Sequence, residues 1–316
     1  MKDKTVIFDT NVYRNLTFGK DFDSCIKSIE EIKQLEKSKH IDAYMTPVVL
    51  LELFAHMANI NDPSYINCKN AAAISYLHSK VEIGSEYRLL ADSESLLAKA
   101  MFNYEIPGIK EKWNYLGGYA YNIYKNPDEK HIDSFRANFQ PLANFVDIVE
   151  NTFITDFFRY VVLGTNPSAT DWSGIKNDDQ IRKDFLKLLN SQQSLYDLAK
   201  AQVFKACTIA NIDPTTINDI DNRAAEILRI FPAPIYLYRE IMKRIAMSGC
   251  DLSNAKRKRW NWIWDIQILF SCANSTINNK EVLLITSDGD MLDSAKSAGL
   301  VDKIKSLDEY LAELVK

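Results

Sequence analysis

The chain has 316 residues, 47% of them apolar and 25% charged, with a formal net charge of −4. That balance excludes a disordered chain and a broadly basic coat for nucleic acid, and it leaves material for one large or two modest domains. Five cysteines with no C-x-x-C and four histidines with no H-x-x-x-H predict free thiols in a reducing compartment and argue against zinc. No apolar run is long enough to span a bilayer and the start lacks an apolar leader, so a cytoplasmic protein without a membrane partner is expected.

In chain order, Val6-Ile7-Phe8 reads as a buried strand running into Asp9-Thr10-Asn11. A helix follows, with Ile26, Ile29, Ile32 and Leu35 at helical spacing. Ile41 to Met45 predicts a second strand. Thr46-Pro47 then supplies an N-cap and an N1 proline for a helix from Val48 to about Asn59 that carries Glu52. From residue 62 to 249 the pattern becomes helical: Ala71 to Ser79, Ser93 to Ala100, Asp133 to Val149, Asn151 to Leu163, Gln180 to Ala210 and Asp221 to Phe231. Breaks are expected at Pro107-Gly108, Gly117-Gly118, Asn126-Pro127, Asn166-Pro167, Asp213-Pro214 and Pro232-Ala233-Pro234. A helix containing Trp260 to Ala273 leads to a strand, Val282 to Ile285, and then to Thr286-Ser287-Asp288-Gly289-Asp290. A helix from Met291 to Ala298, a short segment from Leu300 to Ile304 and a last amphipathic helix from Leu307 to Val315 close the chain. The simplest architecture is α/β: a short parallel sheet built from residues 1–61 and 250–316, split by an all-helical insertion at 62–249.

Strands in parallel sheets present ligands at their carboxyl ends, and two of them here deliver acids there. With Glu52 and Asp265 they make a four-carboxylate set, Asp9, Glu52, Asp265 and Asp288. Such a set suits a hard cation and phosphodiester hydrolysis, and needs neither histidine nor cysteine. The plainer alternative is that Asp9 and Asp288 cap the helices after them.

The motifs Asp9-Thr10-Asn11, Thr46-Pro47-Val48-Val49-Leu50-Leu51-Glu52-Leu53, Asp265-Ile266-Gln267-Ile268-Leu269 and Thr286-Ser287-Asp288-Gly289-Asp290-Met291 together resemble the PIN-domain ribonucleases. Ser306-Leu307-Asp308-Glu309-Tyr310-Leu311 looks like that family's final strand-to-helix turn. The resemblance covers only the two ends, and the long interval between Glu52 and Asp265 departs from the family's compact spacing. It implies a PIN-like three-layer fold and a metal-dependent endoribonuclease. Asp9, Glu52, Asp265 and Asp288 would be catalytic. Asp9, Asp265 and Asp288, with Asp290 as a further candidate, would hold Mg²⁺ or Mn²⁺, and Asn11 and Thr286 would position substrate.

Immediately before Asp265 stand Lys256-Arg257-Lys258-Arg259 and Trp260, Trp262 and Trp264. From Arg239 to Arg259 seven basic residues face two acidic ones. Lys256, Arg257, Lys258 and Arg259 are therefore candidates for binding an RNA backbone in single-stranded or loop regions, while the tryptophans are assigned mainly to the core. The aromatic residues of the insertion, among them Tyr115, Tyr119, Tyr121, Tyr124, Phe153, Phe157, Phe158 and Tyr160, are assigned mainly to packing. The insertion itself carries no readable motif and leaves a substrate clamp, a homo-oligomer surface or a regulatory-partner platform open.

Two other readings compete. Gly289-Asp290-Met291-Leu292-Asp293 looks like the last motif of haloacid-dehalogenase phosphatases, but that chemistry wants an acid where Asn11 stands. A PIN-like module that binds nucleic acid or a partner without turnover is the other.

Overall fold

The computed structural model describes residues 4–157, 168, 177–248, 262–272 and 281–316. Its α/β portion is a four-stranded, all-parallel sheet in the order β2-β1-β3-β4. β1 (Lys4–Phe8) and β3 (Glu281–Thr286) occupy the centre, paired from Lys4 opposite Glu281 to Phe8 opposite Ile285. Their apolar runs are buried throughout, as strands covered on both faces must be. The edges are short: β2 (Ile41–Tyr44) and β4 (Ile304–Ser306). The sheet is thus made from strands at the two ends of the chain, with a large helical segment between them.

Local chemistry explains the elements flanking the sheet. α1 (Thr10–Thr17) begins where β1 stops, and α2 (Phe22–Ser38) is capped by the Asp21 carboxylate accepting from the Ser24 amide at 2.7 Å. α3 (Pro47–Met57) starts on Thr46 and Pro47 and is apolar almost all round, so it is enclosed. α4 (Tyr65–Ser79) packs against α1, α2 and α3. Toward the C-terminus, Asp288 caps α14 (Gly289–Ser297), and α15 (Leu307–Val315) opens on a capping box between Ser306 and Glu309.

The middle segment is α5 (Ser93–Phe102), α6 (Ile109–Lys125), α7 (Glu129–Arg136), α8 (Gln140–Phe157), α9 (Asp179–Asn190), α10 (Gln192–Ala210), α11 (Ile220–Ile230) and α12 (Pro232–Ser248). α13 (Trp262–Leu269) then returns to the sheet side and packs against α3 and α12. One apolar cluster joins the buried side chains of both portions.

Several boundaries depart from the sequence expectation. α6 runs straight through Gly117-Gly118: a Cβ on Gly117 would lie 2.3 Å from Tyr87 Cζ, so this glycine serves a close approach and not a bend. The helix expected from Gln180 to Ala210 is broken at Ser191, which caps α10 through the Ser194 amide. The helix expected from Asp133 is interrupted by a 3-10 turn at Ala137–Phe139. The helix expected at Asn151 continues α8 without a break to Phe157.

Trp262 and Trp264 are buried as expected. Phe54, Phe135 and Phe139 form a ring cluster with Tyr119, whereas Tyr115 is 70% exposed and packs little. Cys25, Cys68, Cys207 and Cys272 are buried free thiols. Among the described residues no helix is long and apolar enough to cross a membrane. Lys256, Arg257, Lys258, Arg259, Trp260, Phe158, Tyr160 and the Asn166-Pro167 break lie outside the described residues.

Candidate active site

The two central strands end side by side. The Asp9 amide donates to Ile285 O at 2.9 Å, which brings the first residue past β1 next to the end of β3. Thr286, fully buried, donates its hydroxyl to Asp9 Oδ2 at 2.8 Å and accepts from the Asp288 amide at 3.0 Å. A single threonine hydroxyl therefore joins both strand-end acids.

The two helix-cap expectations separate here. Asp288 is a true cap, its Oδ1 accepting from the Met291 amide at 2.8 Å. Asp9 occupies the N-cap position of α1 but makes no side-chain cap bond, so its carboxylate is committed to Thr286. Asn11 lies in the first turn of α1, partly buried.

Glu52 reaches the same region from α3 and accepts a short hydrogen bond from the Thr10 hydroxyl. Asp265 reaches it from the first turn of α13, buried to 7% exposure. Hydrogen bonds through Thr286 and Thr10 tie Asp9, Asp288 and Glu52 to one region, and Asp265 feels the charges of all three. Burial pushes the Asp9 carboxyl up to about 6, with Thr286 pulling it back and the Asp288 charge raising it further. Burial and then the Asp9 charge push Glu52 up to about 8. Asp265 is raised well above the carboxylate range by burial, then by Asp9, Asp288, Glu52 and Asp290 in that order. Asp290 itself is exposed and ion-paired with Arg244 of α12, at 2.7 Å.

Two contributors carried no signal in the sequence. Thr10, inside the Asp-Thr-Asn motif, orients Glu52. Glu150 of α8 adds a fifth carboxyl near Glu52; it accepts the Trp264 indole N–H at 2.9 Å, and its own carboxyl is raised by burial. Arg14 is the cation that lowers Glu52, and it is already held by Asn67 and Ser64. As the side chains stand, no three His, Cys, Asp or Glu residues among the described residues are arranged to hold a metal ion.

This centre concentrates carboxyl groups that repel one another, supplied by two strand ends and two helices, with little cationic compensation among the described residues. Such an arrangement can take up protons or attract cations. Comparison with protein-family models, with curated proteins and with solved structures returns no match to this chain.

Proposed function

We propose that this protein is a metal-dependent endoribonuclease whose sheet portion, residues 1–61 and 250–316, is a PIN-like three-layer unit with 62–249 as its helical insertion. The observation that carries the reading is geometric: the Thr286 hydroxyl joins the Asp9 carboxylate to the Asp288 amide at the carboxyl ends of β1 and β3, and Thr10, next to Asp9, holds Glu52. The donor chemistry suits Mg²⁺ or Mn²⁺: all ligands are carboxylate oxygens, and Mg²⁺ needs only one or two carboxylates, taking waters and substrate phosphate for the rest. A three-carboxylate grip is therefore not required. Asp9, Asp265 and Asp288 would hold the ion, with Asp290 secondary because Arg244 engages it. Once bound, the ion supplies an activated water and neutralises charge on the phosphate.

The chain's own residues do the rest. Thr286 keeps the Asp9 carboxylate facing the centre. Thr10 holds Glu52, whose proton affinity near neutral pH suits it to accept a proton from the attacking water. Water enters in line with the departing 3′-oxygen of RNA. Asn11 and the basic run Lys256, Arg257, Lys258 and Arg259 would align the strand, whereas Thr286, expected to position substrate, is fully buried with its hydroxyl bonded to Asp9 and the Asp288 amide and acts only through Asp9.

The test is cleavage of single-stranded and looped RNA in Mn²⁺ by the wild type and by Asp9→Asn. The wild type should cut, and the variant should be slower by about a hundredfold or more, the scale of removing one key polar group from a preorganised site. Equal rates in the two proteins, or none in either, would defeat the reading. A second reading is a PIN-like module that binds RNA or a partner protein without turnover, favoured by the lack of a three-ligand arrangement among the described residues. RNA binding by both proteins with no cleavage by either would select it. Turnover of a small phosphate ester would instead revive the phosphatase alternative.

A further inference from the structure

A cavity of about 280 Å³ opens where α2, the first residues of β2 and the end of α4 meet. The acidic centre lies elsewhere, at the carboxyl ends of β1 and β3, so this cavity belongs to a separate part of the fold. Its wall carries cations from three places in the chain, Lys33 and Lys37 on α2, Lys80 at the end of α4, and Arg88, together with the imidazole of His40 in the turn after α2.

The acids of the wall are already engaged. Asp42 pairs with Arg88 at 2.9 Å, and Glu82 pairs with Lys37 at 2.5 Å. Glu36 is turned inward, bonded to His78 at 2.8 Å and to the Tyr310 hydroxyl at 2.8 Å. Lys33 and Lys80 have no carboxylate within ion-pair distance among the described residues. The Lys33 ammonium donates to the main-chain oxygens of Leu77 at 2.8 Å and Lys80 at 2.5 Å, which fixes it at the C-terminal end of α4 and uses two of its three donors.

We propose that this cavity is a binding site for a phosphate-class dianion, either free phosphate or the terminal phosphate of a nucleotide. Charge selects this class. Lys33 and Lys80, neither with a carboxylate within ion-pair distance among the described residues, favour an anion between them, while a neutral or cationic ligand would leave them repelling each other. The volume, just below the ~300–1,000 Å³ usual for organic-ligand sites, admits a phosphate group with room left over. The repulsion is expressed on Lys33 itself: burial, then Arg88 and Lys80, push its ammonium down to about 8, against a smaller upward pull from Glu36 and Glu82. A bound phosphate would offset the effects of Arg88 and Lys80. The site stands independently of the nuclease reading, because none of its residues belongs to the acidic centre.

Calorimetric titration tests it, using inorganic phosphate, AMP, adenosine and acetate against the wild type, Lys80→Ala and Lys80→Arg. Lys80 is partly exposed and its side chain has no acidic partner, so both variants should keep the wild-type melting temperature. Saturable one-to-one binding of phosphate or AMP, weakened tenfold or more in Lys80→Ala and restored in Lys80→Arg, is the expected result. Binding of phosphate but not AMP identifies the free ion; binding of both identifies a phosphate-group site open to nucleotides. The proposal is overturned if the wild type shows no saturable binding, if Lys80→Ala binds phosphate as well as the wild type does, or if adenosine or acetate binds as tightly as phosphate.

Discussion

Asp9, Glu52 and Asp265 hold their protons more tightly in the folded protein than in the unfolded chain, and this fixes a sign for the pH dependence of stability. The folded pKa values of Asp9, about 6, and Glu52, about 8, lie above their ordinary values of 3.8 and 4.5. Between pH 4 and 8 the folded state therefore binds more protons than the unfolded state, and stability falls as pH rises. The shift at Asp9 alone corresponds to about 3 kcal/mol. Thermal melts should accordingly show a lower midpoint at pH 8 than at pH 5. Glu52→Gln should melt above the wild type at pH 8 and near it at pH 5. A flat or rising wild-type profile would contradict the clustering. Millimolar Mn²⁺ at pH 8 should raise the wild-type midpoint and leave Asp265→Asn unmoved, while an equal response in both would remove Asp265 from the ion site. The strand-end acids were legible because an apolar run stopping at Asp marks the end of a buried strand. Glu150 was not, because helical periodicity shows which face a residue lies on and not which distant carboxyl it meets.

At the scale of elements, α6 offers a reversal of sign as a test. Gly117→Ala gains about 1 kcal/mol of helix propensity but drives a methyl group into the Tyr87 ring, whose hydroxyl donates to Asn114 O at 2.9 Å. Displacing the ring should cost about 1–3 kcal/mol, so the variant should be less stable than the wild type by urea denaturation. In a Tyr87→Ala background the same substitution should instead stabilise by about 1 kcal/mol. Stabilisation in both backgrounds would show that the ring yields freely. Caps were the legible part of the elements: Thr46-Pro47 and the Ser306-to-Glu309 box mark real helix starts. The Gly117-Gly118 pair misled because glycine signals a bend and a close contact with the same letter, and only the partner ring distinguishes them.

Across the whole molecule, a buried polar chain joins distant segments. Tyr13 OH lies 2.9 Å from His78 Nδ1, His78 Nε2 lies 2.8 Å from Glu36 Oε2, and Tyr310 donates to Glu36 Oε1 at 2.8 Å. The chain links α1, α4, α2 and α15, with His78 and Glu36 essentially without solvent. Glu36→Ala would leave an imidazole and a hydroxyl buried without their acceptor, at a cost of about 1–3 kcal/mol for each. Tyr310→Phe, which removes one bond, should cost about 1 kcal/mol. Equal losses in urea titrations would mean that Glu36 acts only by packing. Nothing in the sequence around His78 separated it from an ordinary helix residue, since its two hydrogen-bond partners come from two other elements. The α/β alternation at the two ends, by contrast, announced the parallel sheet.

The pairing of β1 with β3 also orders events during synthesis. When β1 leaves the ribosome it can find β2 soon afterwards, but residues 281–286 are still untranslated, and with them Thr286 and Asp288. Until those residues emerge, a nascent chain has Asp9 without its threonine partner and half a sheet with an open edge. Contacts so far apart in sequence form late and slowly. The acidic centre is thus absent from the growing polypeptide until residues 281–288 have been made, and whatever chemistry it performs is withheld until then.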